Sequence, residues 1–85
     1  MPTNDFVINK GDEILVRVTT KLLEDLPEFK ELIGPLMSEV MTRVKVKVVE
    51  RNGDSLTISR GGMIKTINER KLRQATRIYR SHLPK

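Results

Sequence analysis

The chain contains no cysteine and no tryptophan, and its aromatic residues are two phenylalanines and one tyrosine. Without cysteine there is no disulfide framework and no thiolate metal site. The lack also suits a reducing compartment. No apolar run approaches the length of a membrane span, and the N-terminus carries no signal-peptide pattern. A soluble, cytoplasmic protein is expected. His82 is the only histidine and has no second ligand at metal spacing, so neither a metal site nor a cofactor is expected. Ser55, Ser59 and Ser81 have no base nearby in sequence, and Gly61-Gly62 is too short for a phosphate-binding loop. Glu24, Asp25, Glu28 and Glu31 read as a solvated helix face. The residue types of acid–base or nucleophilic catalysis are not assembled, and the expectation is that the chain is not an enzyme.

Positive charge is plentiful, and it is unevenly placed. The net charge of the 85 residues is +5. Residues 1–42 carry four basic and eight acidic side chains, whereas residues 43–85 carry twelve basic and three acidic. Such a split predicts two surfaces with different tasks, the basic one suited to polyanions. A chain of this length makes one small domain, here residues 1–85 with 1–5 as a flexible tail. Its core is thin, which favours self-association.

Residue patterning predicts an α+β fold: an N-terminal β-hairpin, a broken helical segment, a three-stranded antiparallel meander and a C-terminal basic helix. Phe6-Val7-Ile8 and the strand with Ile14, Val16 and Val18 form the first hairpin. Val44, Val46 and Val48 face Leu56 and Ile58 in the second. To place these apolar residues on one face, paired residue numbers must have an even sum. This predicts three-residue loops, Asn9 to Gly11 and Arg51 to Gly53, each with a left-handed glycine third. Val48 would then pair with Leu56. Met63 to Ile67 is the third strand of the meander. Between the hairpins, Leu22, Leu26, Phe29, Ile33, Leu36 and Val40 recur at heptad spacing. Thr19 or Thr20 caps this stretch, and Pro27 and Gly34-Pro35 break it. The stripe reads either as a homodimer interface or as intramolecular core.

The last segment, Asn68 to Leu83, reads as one helix with Asn68 as its N-cap. Leu72, Ala75, Thr76, Tyr79 and Leu83 share one face. Arg70, Arg73, Arg77 and Arg80 share another, at spacings i, i+3, i+7 and i+10. Only Glu69 is placed to neutralise this ridge. The ridge is the predicted nucleic-acid contact, assisted by Lys45 and Lys47 from the polar side of their strand. With Tyr79 assigned to the core, no aromatic remains for stacking on single-stranded bases.

Gly11 to Val18 followed by Thr19 to Leu26 resembles the strand and short helix of swapped-hairpin regulators of the AbrB and MazE type. Val44 to Ser59 resembles their closing hairpin. The resemblance implies an intertwined dimer that binds operator DNA through basic residues on paired strands, with Lys10 and Arg17 as contacts. Leu15 to Val18, Thr20 to Ile33 and Met37 to Val40 also resemble ribbon-helix-helix repressors. Each likeness covers about half of the chain. The expected function is therefore a small dimeric DNA-binding transcriptional regulator, with DNA ahead of RNA. The alternative is an inhibitor or adaptor that binds an acidic protein.

Overall fold

The computed structural model describes residues 6–34 and 43–81. The tail expected over 1–5, the helical continuation over 35–42 with Leu36 and Val40, and residues 82–85 lie outside the described residues. The fold is α+β. In chain order it comprises β1 (Glu13–Arg17), α1 (Thr20–Asp25), α2 (Glu28–Ile33), β2 (Arg43–Asn52), β3 (Ser55–Arg60), β4 (Met63–Asn68), α3 (Glu69–Ala75) and β5 (Ile78–Arg80). The strands form one antiparallel sheet in the order β4-β3-β2-β1-β5.

Alternation along the strands gives the sheet an apolar inner face. Ile14 and Val16, Val44, Val46 and Val48, Leu56 and Ile58, Ile67, and Ile78 are all buried. The short helices cover this face with Leu22, Leu26, Phe29, Leu32, Ile33, Leu72 and Ala75 in the same core cluster. Four residues proposed as an oligomer interface, Leu22, Leu26, Phe29 and Ile33, are therefore spent inside the chain, at 0–6% exposure. These four residues are core because the sheet offers them an apolar partner within the chain. Among the described residues, the helix breaks fall at Pro27 and Gly34. Thr19 Oγ1 accepts from Leu22 N at 3.0 Å to start α1, and Gly34, at φ 87°, ends α2.

Both hairpin glycines adopt the left-handed backbone, Gly11 at φ 95° and Gly53 at φ 61°. The connections around them differ from expectation. Asn9 to Asp12 form a tight turn, with Asp12 N donating to Asn9 O at 3.0 Å. Phe6 to Ile8 nevertheless stay out of the sheet, because β2 and β5 occupy the two edges of β1. Ile8 still joins the core. In the second hairpin Asn52 pairs with Ser55, leaving a two-residue turn, Gly53-Asp54. Positive φ at Gly53 alone matches a type II′ turn. The required even register is restored by a β-bulge at Val49, so that Val48 pairs with Ile58 instead of Leu56. Gly53→Ala places a Cβ on this left-handed backbone with open space around it. A loss of about 1 kcal/mol in urea unfolding is expected, with no repacking of the core.

The bulge also turns Arg51 to the inner side, opposite Leu56. There Arg51 meets Glu69, the first residue of α3, at 2.7 Å. Glu69 also receives Arg73 at 2.8 Å, so its carboxylate is buried with two guanidinium partners. Three arginines then hold three successive carbonyls of the N-terminal segment. Arg73 donates to Phe6 O at 2.8 Å, Arg80 to Val7 O at 3.3 Å and Arg51 to Ile8 O at 2.8 Å.

Candidate nucleic-acid interface

The helix that was to carry the arginine ridge ends at Ala75. Asn68 caps its start as expected, accepting from Lys71 N at 2.9 Å. Thr76 leaves helical geometry, at φ −162° and ψ 177°, and its hydroxyl donates to Arg17 O at 2.8 Å. From there the chain extends into β5 along the open edge of β1. Thr76, Ile78 and Tyr79 are β-branched or aromatic, and that edge offers them a ladder. Ile78 takes the core position expected of Tyr79, and Tyr79 lies partly buried on the opposite face.

The ridge is thereby dismantled. Arg73 is bound to Glu69 and Phe6, and its guanidinium carbon lies 5.8 Å from the Phe6 ring centroid. Arg80 falls on the core side of β5 and stacks on the same ring at 5.1 Å. Both hold the N-terminal segment in place. Arg70 stays exposed on α3, 3.8 Å from the Asp54 carboxylate. Of the four, only Arg77 joins Lys45 and Lys47 on a common surface.

That surface is the outer face of β2, β1 and β5. Its residues stand opposite the buried positions of each strand. Arg43 pairs with Arg17 across β2 and β1. Arg17 N donates to Arg77 O at 3.0 Å, which continues the row to the third strand. In the next row Lys45 pairs with Leu15, and Leu15 with Tyr79. In the third, Lys47 pairs with Glu13, the one acid among these positions. The result is an L-shaped border of five cations, Arg77, Arg17, Arg43, Lys45 and Lys47, around a centre of Leu15 and Tyr79. The Arg43 guanidinium lies over the Tyr79 ring at 5.0 Å.

Carboxylates neutralise six of the other cations, while Lys30, Arg60, Lys71 and Arg80, scattered off this face, have no ion pair among the described residues. Lys10, Lys21, Arg51, Lys65, Arg70 and Arg73 each have a carboxylate partner. None of the five on the outer face forms an ion pair with a described residue. Cross-strand like charges repel, so Arg43 beside Arg17 costs stability that a bound anion recovers. A groove of about 340 Å³ extends the face beyond Arg17 and Arg77, lined also by Thr19, Gln74 and Thr76. The Lys21 ammonium, held above its ordinary value by its hydrogen bond to Asp25, belongs to α1 and takes no part. Among the described residues no group of three acidic or histidine side chains is arranged to hold a metal, and no helix is long and apolar enough to cross a membrane.

Two members of the face escaped the sequence. Arg43 continues the period-2 alternation of Lys45 and Lys47 by one step, a signal that was there to read. Tyr79 was hidden by the helical reading. Arg17 had entered only through the swapped-hairpin resemblance. The strand pairing implied by that resemblance is not found, because β1 pairs with β2 and β5 of its own chain. Its other candidate, Lys10, is paired with Glu50 at 3.2 Å. The ribbon-helix-helix likeness fails at the β2 strand. No family model, curated protein or solved structure matches the chain.

Proposed function

We propose that the protein binds nucleic acid on the outer face of β2, β1 and β5. The observation that carries this reading is the gathering onto one face of five cations, from three separate parts of the chain, that form no ion pair with a described residue. Arginine forks at Arg17, Arg43 and Arg77 suit phosphate oxygens, and Lys45 and Lys47 add point charges along β2. The contact is thus moved from the C-terminal helix to the sheet.

Binding should follow counterion release. With all five cations on phosphates, the slope of log K against log salt should be about −3.5 for a single strand and −4.5 for a duplex. Fluorescence anisotropy with labelled DNA and RNA oligonucleotides over a salt series measures it. Absence of binding to any of them at 50 mM salt refutes the proposal. Retention of an acidic protein by the same face, without nucleic acid, gives the face to the adaptor reading instead.

A further inference from the structure

Resting on that reading, we infer that the nucleic acid is single-stranded and that Tyr79 is a stacking site for one of its bases. Three observations lead there. First, Tyr79 is not in the core. It stands partly buried on the outer face, in register with Leu15 and Lys45, with cations along two sides of the Leu15–Tyr79 pair. A backbone following Arg77, Arg17, Arg43 and Lys45 keeps its phosphates on the border and its bases over Leu15 and Tyr79. Apolar rings inside a cationic border are what a splayed-out strand uses, phosphates on the charges and bases on the ring.

Second, the shape of the face suits a strand better than a duplex. Five strands at roughly 4.8 Å spacing make a sheet about 19 Å wide. A major groove about 12 Å wide admits a helix or a two-stranded ribbon, but not such a sheet. A duplex lying on the face touches it with phosphates alone and leaves Leu15 and Tyr79 unused. Third, the ring already carries a planar cation, Arg43, at 5.0 Å. A base takes that place on the ring, since stacking outweighs an exposed cation–π contact. The displaced guanidinium turns to a phosphate on the border. Arg43 thus guards the ring in the free protein and contacts the backbone in the complex.

The composition supplies the test. Tyr79 is the only tyrosine, and the chain has no tryptophan, so intrinsic tyrosine fluorescence reports this ring alone. The probes are a mixed-sequence single strand, as DNA and as RNA, the duplex of the same sequence, and inorganic polyphosphate, which has charge and no bases. The expected result is quenching of Tyr79 by either single strand but not by polyphosphate, and at least tenfold tighter binding of the single strand than of the duplex at 0.15 M salt. The two single-stranded arms decide between DNA and RNA. Tyr79→Leu should weaken single-strand binding on the order of tenfold and leave polyphosphate binding unchanged. Tyr79→Phe keeps a stacking ring and should restore the affinity. Duplex binding as tight as the single strand, or tyrosine emission unmoved by a bound single strand, overturns the inference while the nucleic-acid reading stands. Failure to bind any of the nucleic-acid probes removes that reading as well.

Discussion

Replacing Arg17, Lys45 and Arg77 together by glutamine should lower single-strand affinity on the order of 50-fold at 0.15 M salt and several hundred-fold at 0.05 M. The size follows from counterion release. Each lost phosphate contact removes about 0.7 from the slope of log K against log salt, so three remove about 2. The three come from β2, β1 and the residue before β5, and all are exposed and free of ion pairs with described residues. Their removal relieves cross-strand repulsion, so the melting temperature should hold or rise slightly. A control triple of Arg70, Lys71 and Lys30, exposed cations away from the outer face, should lower affinity far less. Equal losses for the two triples in the salt-dependent titration would show that net charge alone, and not this face, governs binding.

The largest effect on stability is expected from Phe29→Ala. Phe29 lies on α2 and is 0% exposed, among the largest fully buried side chains. Truncating a buried phenylalanine costs about 3–5 kcal/mol in lost transfer energy and cavity. A domain of this size has a total stability of roughly 5–15 kcal/mol, and a thin core places it low in that range. At about 4–8 °C per kcal/mol, the melting temperature should fall by something like 15–30 °C, measured by circular dichroism. The same variant tests the core placement of Phe29 against a dimer seam. A residue of an exposed dimer seam would change the sedimenting mass with little change in intrinsic stability. A core residue lowers stability at every concentration. An unchanged melting point with a reduced mass would return Phe29 to an interface.

A 3.6-residue period places Arg73 and Arg80 on one helical ridge, whereas both are clamps, on Phe6 and Val7. Their positive charge is equally visible in sequence whether it meets a phosphate or a carbonyl of the same chain. Arg73 is distinguished by the buried Glu69, which also meets Arg51 on the inner side past the bulge at Val49, and Arg80 by the Phe6 ring it lies over. Lys45 and Lys47 were legible because strand alternation is local: valines on one side fix lysines on the other. Arg17 and Arg77 are far apart in sequence, and no local pattern joins them.

The sequence by itself determined what depends on near neighbours. Alternating valines and paired turn glycines made β2, β3 and β4. Thr19 and Asn68 started their helices, Pro27 and Gly34 interrupted the helical stretch, and apolar spacing named most of the core. Left-handed backbone at Gly11 and Gly53 also follows from local chemistry, since a Cβ disfavours it. The tertiary structure decided the rest. A bulge and a two-residue turn satisfied the same parity that a longer loop would have satisfied, and only the packed sheet selects between them. Residues 76–80 fit a helix by period and a strand by composition. The unpaired edge of β1 settled their state, because its backbone groups needed partners that only a distant segment supplied. That one pairing ended the basic helix, buried Ile78, turned Tyr79 to the outer face, and set Arg77 beside Arg17.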